Sequence, residues 1–402
     1  MKAGKPTVLQ IIPRLEAGGA EQTTLDVSRA LVERGWGAIV ASQGGRMVEG
    51  LAASVEHVDM AVASKNPATI WRNASRIERL VRASGVSLVH VRSRAPAWSA
   101  LLATRRAGVP LVTTYHSVYS QRSRIKALYN SVMVRADRVI ANSNWTAALV
   151  RERHPDAADL IVAIPRGTDF RRFDPDRMDA AAVEDLRFRW GLPGERERDG
   201  APVFLHLARL ARRKAQDVSV AAFAKVRATG RDAWLVLAGD DQGGHDYAST
   251  LRARIAGAGL GDRVLLPGHC DRPAEACALA DVALMPSIVP EAFGRTAVEA
   301  AAMGLPAIVT DIGATAETVI PQTGLKVKPG DPDALAQAMI ETIDMGSAAR
   351  SDMGRAARAH VLSQFGIELM CDRTIDVYED VLRERAAGER RGSSGVQGRV
   401  RN

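Results

Sequence analysis

The chain has 402 residues, of which 46% are hydrophobic, 25% charged and 4% aromatic, a globular composition with room for two or three domains. Three cysteines, Cys270, Cys277 and Cys371, are too few for a disulfide framework and lack the paired spacing of a zinc site, so reduced thiols in a cytoplasmic compartment are expected. The apolar run at residues 7–12 is too short for a signal-peptide core, and no stretch of about 18 apolar residues offers a membrane-spanning helix.

Short β-branched runs alternate with longer helical patterns from the start. Strands are expected at residues 7–12, 38–41, 88–91, 111–115 and 139–141, with helices between them. A second series follows at 203–207, 234–238, 264–266, 282–285 and 307–310. This βαβ rhythm predicts an α/β chain with two doubly wound parallel sheets. The Gly/Pro-punctuated, charged stretch at 191–202 separates the two series and is the expected domain boundary. From about Gly388 the tail is polar and basic, and disorder is expected at 388–402. Sheets of this kind place ligand loops at the carboxyl edges of their strands, and a two-ligand enzyme with a cleft between facing edges is the natural reading.

Charge is uneven. Residues 1–150 carry 20 Lys/Arg against 9 Asp/Glu, whereas the remainder carries 34 against 37, for a net charge of +8. Arg122, Arg124, Lys126, Arg135 and Arg138 are interspersed with Ile125, Leu128, Tyr129, Val132, Met133 and Val134, which reads as a basic amphipathic helix suited to an anionic membrane surface. An ordinary solvated face beside a core stripe is the competing reading. No nucleic-acid-binding module is recognisable, so no nucleic-acid partner is expected.

Four places could carry chemistry. Gly18 and Gly19 follow the first strand and open a helical pattern, a turn that lets backbone approach a ligand. The string is not G-x-G-x-x-G, which removes the main support for a nicotinamide dehydrogenase. His116 ends the strand at 111–115 at the carboxyl edge of the first sheet, where it is either a proton-handling group or a structural histidine. Arg209 and Lys214 follow the strand at 203–207 and are placed to meet a diphosphate, with a solvated basic loop as the alternative. In residues 290–306, Thr296 as N-cap, Glu299 three residues on and Gly304 as stop define a short helix whose first amides, near Phe293, Gly294 and Arg295, form an anion site. Glu299 either serves a ligand or closes a capping box with Thr296. Glu291 sits in a loop with no helix to cap, where a carboxylate can accept sugar hydroxyls or stabilise an oxocarbenium ion. The Asp174-Pro175-Asp176 and Asp331-Pro332-Asp333 strings read as turns, and His269 with Cys270 and Cys277 lacks zinc spacing, so no metal is expected.

Taken together, AGGAEQ at 17–22, VIANSNWT at 139–146, IPRGTD at 164–169, LARLARRK at 207–214, LVLAGD at 235–240 and EAFGRTAVE at 291–299 resemble glycosyltransferase family 4, which has the GT-B fold. SRAPAW at 93–98, TYHSVYS at 114–120 and YNSVM at 129–133 look like the bacterial lipopolysaccharide core mannosyltransferases. The resemblance implies an acceptor-binding first domain at 1–190 and a nucleotide-sugar-binding second domain at 200–365. A helix at about 366–387 would pack back on the first domain. Arg209 and Lys214 would bind the diphosphate, Glu299 the ribose hydroxyls, Glu291 the sugar, and the amides of Phe293 and Gly294, beside Arg295, the sugar and phosphate. Gly18 and Gly19 would border the donor phosphate and acceptor, and His116 would touch the sugar or assist at the reaction centre.

The implied activity is a retaining, metal-independent hexosyl transfer, best matched by GDP-mannose as donor and a lipopolysaccharide core or related cell-envelope glycolipid as acceptor. The implied location is cytoplasmic, peripheral on the inner face of the membrane. A UDP-sugar donor is the alternative, followed by a GT-B nucleotide-sugar epimerase and by a non-catalytic binding protein. The sequence departs from the family pattern at Ala208 and Ala215, where glycines usually flank the Arg and Lys, and at Arg166, where asparagine is usual. Each alanine adds only a methyl, so a tighter loop with activity retained is expected.

Overall fold

The computed structural model describes residues 5–16, 18–119, 123–241 and 245–397. Ala17 of the AGGAEQ motif, Ser120, Arg122 and residues 398–402 lie outside them. The chain forms two compact units, Met1–Gly167 with Ile367–Asn402, and Thr168–Gly366.

The first unit is built on seven parallel strands: β1 Thr7–Ile11, β2 Gly37–Ser42, β3 Glu56–Asp59, β4 Leu88–Val91, β5 Leu111–Tyr115, β6 Arg138–Ala141 and β7 Ile161–Ala163. Their order is β3-β2-β1-β4-β5-β6-β7, so the winding direction reverses between β1 and β4, where Gln10 pairs with His90. Residues of β1, β4 and β5 are almost all buried, as two helix-covered faces require. One face packs Leu9, Val89 and Leu111 with the helices Pro67–Ala83 and Arg94–Ala107. The other packs Val8, Leu88 and Ile140 with Leu25 and Leu31 of the helix Gly19–Glu33 and with Met370, Ile375 and Tyr378 of the closing helix.

That closing helix runs Ile367–Gln397 and therefore enters the stretch expected to be disordered. Extending a helix whose first turns are already packed requires no new nucleation. The basic segment expected as one amphipathic helix is shorter and divided. It forms a helix at Arg124–Asn130, a 3-10 turn at Ser131–Val134, and then β6 from Arg138. Val132 and Met133 are drawn into the core, whereas Ile125 and Leu128 stand 80% and 59% exposed.

The second unit carries six parallel strands: β8 Val203–Leu207, β9 Trp234–Ala238, β10 Val264–Gly268, β11 Val282–Met285, β12 Ala307–Thr310 and β13 Gly324–Val327. Their order, β10-β9-β8-β11-β12-β13, places the reversal between β8 and β11. Residues 191–202, the expected boundary, lie inside this unit. Leu186, Trp190, Leu192 and Ala201 are buried in its core, which anchors the stretch to the second sheet. The chain instead divides at Gly167/Thr168 and Gly366/Ile367. There the Thr168 amide donates to the Phe365 carbonyl at 2.8 Å, and Thr168 bridges Gly366 in parallel. No described helix is long and apolar enough to cross a membrane.

Candidate active site

The second unit gathers its candidate residues at the carboxyl ends of β8 and β11, on both sides of the winding reversal. After β8 the chain passes exposed Arg209 and a 3-10 turn, Arg212–Lys214, into the helix Gln216–Ala228. Ala215 joins the turn to this helix with φ 60° and ψ 42°, a left-handed conformation, and is fully buried. The methyl expected merely to tighten the loop therefore sits on backbone that favours glycine. Gln216 Nε2 donates to the Arg209 carbonyl at 3.0 Å and fixes the loop from below.

Lys214 Nζ donates to Glu291 Oε1 at 2.5 Å, and Ser287 Oγ, after β11, donates to the same oxygen at 2.5 Å. Both charged side chains are about four-fifths buried. Burial raises the Glu291 pKa, but the Lys214 charge and hydrogen bond, with Ser287 and Arg213, outweigh it and hold the carboxyl below its ordinary range. A small pocket lined by His206, Ala208, Lys214, Ser287, Glu291, Gly294, Thr296 and Thr315 opens beside the pair. His206 Nδ1 lies 3.0 Å from Ser219 Oγ, and burial together with Lys214 pulls its pKa down to about 3.

The short helix begins two residues before its expected start, which put the N-cap at Thr296. Gly294, at φ 78°, takes the N-cap, and the helix runs Arg295–Ala302. Thr296 is thus inside the first turn, and no side chain caps it. The left-handed turn at Gly294 passes so close to Thr315 that a Cβ would lie 2.7 Å from its Oγ1. Glu299 accepts from Arg295 Nε at 2.8 Å, an i,i+4 pair in place of a capping box. Burial dominates here and raises the Glu299 pKa against the pull of Arg295 and Arg172. Phe293 is buried and stands edge-on to Phe365, their ring centroids 5.7 Å apart. Asp174 and Asp331, of the two Asp-Pro-Asp strings, cap the helices that follow them.

The first unit assembles a separate cluster. Gly18, at φ 141°, is the N-cap of the helix Gly19–Glu33. His116 follows β5 and borders a small cavity with Thr23, Arg92, Thr114, Asn142 and Arg166. Arg166 Nη2 lies 3.2 Å from His116 Nδ1, while His116 Nε2 is buried and has no hydrogen-bond partner among the described residues. Burial first, then the guanidiniums of Arg166 and Arg92, hold the His116 pKa well below its ordinary value. Arg92, at the carboxyl end of β4, is 3% exposed and donates from Nε and Nη2 to Gln10 Oε1 at 2.9 and 2.5 Å. Deeper in the sheet, His90 lies 2.5 Å from the Tyr378 hydroxyl through Nδ1 and 2.6 Å from Thr114 Oγ1 through Nε2.

Gly18, Gly19 and His116 therefore belong to the first unit, and Arg209, Lys214, Glu291, Phe293, Gly294, Arg295 and Glu299 to the second. Arg92, Ser287 and Thr315 were not singled out by sequence. A lone arginine after a strand and hydroxyls outside a motif carry no spacing signal.

Comparison with known proteins identifies the chain. A family model described as "Glycosyl transferases group 1" matches residues 193–360, and "Glycosyltransferase Family 4" matches residues 17–172. A 2-deoxystreptamine glucosyltransferase of Streptomyces kanamyceticus is 30% identical over 335 residues, 78% of this chain and 82% of that protein. A GDP-mannose-dependent alpha-(1-6)-phosphatidylinositol monomannoside mannosyltransferase of Mycobacterium tuberculosis is 32% identical over 318 residues, 75% of this chain and 78% of that protein. A solved glycosyltransferase from Rickettsia africae superposes with a TM-score of 0.86 at 32% identity, covering 94% of this chain and 99% of its own. With two Rossmann-like units, each wound about its own switch point, and matches along nearly its whole length, the chain belongs to the family 4 glycosyltransferases and has the GT-B fold.

Proposed function

We propose that the protein is a retaining, metal-independent hexosyltransferase that moves mannose from GDP-mannose to a lipopolysaccharide core or related cell-envelope glycolipid. The observation that carries this reading is the Lys214–Glu291–Ser287 arrangement beside the uncapped helix start at Gly294. In the second unit, Lys214 and Arg209 supply the positive charge that a departing nucleoside diphosphate needs, a task a divalent cation performs elsewhere. The helix-end amides after Gly294 add their dipole to that charge. Glu291, held ionised by Lys214, faces the sugar, where it accepts a hydroxyl proton or offsets positive charge developing at the anomeric carbon. Glu299 takes the ribose hydroxyls in exchange for Arg295.

The mannose donor draws support from the GDP-mannose-dependent relative. A second reading, transfer from a UDP-sugar, draws support from the glucosyltransferase relative. The acceptor is assigned to the first unit, whose surface also suits attachment to an anionic membrane from the cytoplasmic side. Ile125 and Leu128 project from a helix that carries Arg124 and Lys126, an apolar tip in a basic setting.

A binding and hydrolysis screen against GDP-mannose, UDP-glucose, UDP-galactose and UDP-N-acetylglucosamine, with and without chelator, tests the reading. Chelator-insensitive selection of GDP-mannose is expected. Selection of a UDP-sugar replaces the donor, loss of turnover with chelator removes metal independence, and no binding of any donor overturns the enzymatic role.

A further inference from the structure

Arg166 stands where the family pattern usually has asparagine, and its guanidinium touches two of the elements assigned to the site. It lies over the backbone of Gly19, where a Cβ would meet Nη1 at 2.2 Å, and it reaches His116 Nδ1 with Nη2. A guanidinium carries donors and no acceptor, so in this contact Nδ1 can only accept. A neutral imidazole accepting through Nδ1 has its one proton on Nε2. That nitrogen is buried and finds no acceptor among the described residues. Its partner therefore has to arrive from outside.

We propose that Arg166 is a positioning residue that holds His116 with its proton on Nε2, so that His116 meets the substrate as a hydrogen-bond donor to an oxygen atom and not as a base. The substrate's part in this rests on the transferase reading above; the placement of the proton does not. The surroundings act in the same direction. Arg92 approaches from the end of β4, His90 from within the same strand and Arg166 from beyond β7, and the Arg92 and Arg166 guanidiniums disfavour a second proton on the ring. The carboxylate of Asp26, on the helix Gly19–Glu33, acts on Arg92 and Cys371. Tyr378, from the closing helix, bonds to His90. A donor with no charge of its own suits a sugar hydroxyl or phosphoryl oxygen equally, and the shared requirement is an oxygen lone pair.

The test is nitrogen NMR of the full-length protein labelled in its histidine rings, with the His116 signals assigned by their absence from His116→Gln. Between about pH 5 and 8, Nε2 is expected to give the protonated-type shift and Nδ1 the unprotonated type, with no titration. Arg166→Met is expected to redistribute the proton between the two nitrogens and to move the titration up toward the ordinary range. Arg166→Lys, which keeps a donor and a charge, is expected to restore the wild-type pattern. Should Arg166→Met fail to fold, Gly19→Ala serves, because the three atoms its methyl would first meet all belong to the movable Arg166 guanidinium. A wild-type proton on Nδ1, or identical spectra with and without Arg166, overturns the proposal.

In the transfer assay Arg166→Met is expected to lose about tenfold in kcat/KM, one hydrogen bond to substrate, and to gain a histidine-like dependence on pH. If no donor supports transfer at all, the functional reading fails while the NMR result still decides the role of Arg166.

Discussion

Lys214 and Glu291 meet at 2.5 Å across 77 residues of chain, and the oxygen they share also accepts from Ser287. With both side chains mostly out of water, each is the other's principal electrostatic partner, and removing one leaves a desolvated charge. Glu291→Gln retains the shape and an acceptor while removing the charge. Transfer is expected to fall by about a hundredfold or more with the fold intact, measured as kcat with saturating donor. Full activity in the variant would remove Glu291 from the reaction.

Ala215 is buried in left-handed backbone. An alanine there carries about 1–2 kcal/mol of strain, and glycine returns part of that through its greater freedom in the unfolded chain. Ala215→Gly is expected to stabilise the protein by a net of roughly 0.5–1 kcal/mol, read from denaturant unfolding. A loss of stability would show that the methyl's packing against its buried surroundings outweighs the strain.

Three buried histidines set an acid limit on stability. Burial holds His90 and His116 well below the ordinary histidine range and pulls His206 to about 3, so all three stay neutral in the fold. In the unfolded chain they take up protons below about pH 6.5. The unfolded state then binds more protons, and stability present above that pH is lost as the pH falls toward the folded values. The denaturation midpoint is expected to decline as pH drops from about 6.5, before most carboxylates titrate. A flat midpoint between about pH 6.5 and 5 would contradict it.

Ile125 and Leu128 are the exposed apolar residues of a short basic helix. Replacing both with serine is expected to reduce co-sedimentation with anionic phospholipid vesicles, leaving donor hydrolysis in free solution unchanged. Equal sedimentation of the variant and the wild type would assign these two side chains no part in membrane attachment.

Much of the fold is legible because a buried parallel strand is a continuous apolar run. Leu88–Val91, Leu111–Tyr115, Val203–Leu207 and Trp234–Ala238 have in the structure the bounds expected of them. The strands without a sequence signal, β3, β7 and β13, are all at or next to nothing on one side: each is a sheet edge. Edge strands are short and half solvated, so Glu56–Asp59 has a single apolar residue, Val58, among four and Ile161–Ala163 has only three residues. The cap of the short helix is not legible at Thr296 because a threonine with glutamate three residues on imitates a capping box, whereas the left-handed Gly294 fixes the turn two residues earlier. The contacts of the candidate site are harder to read still. Ser287 is near Glu291 in sequence but has no motif, and Arg92 reaches a glutamine 82 residues away. Such partnerships follow from strand order and not from spacing.

The first unit encloses the second in the sequence, and this has a consequence for synthesis. Residues Thr168–Gly366 are contiguous, so the second unit has all of its parts before translation ends. The first unit does not. Its sheet is complete at Ala163, yet the helix that covers Val8, Leu88 and Ile140 is made last, and His90 waits through 288 residues for the hydroxyl of Tyr378. On the ribosome the half of the protein that is made first is thus the half that finishes last, with one apolar face of its sheet only partly covered, by the helix Gly19–Glu33, in the interval.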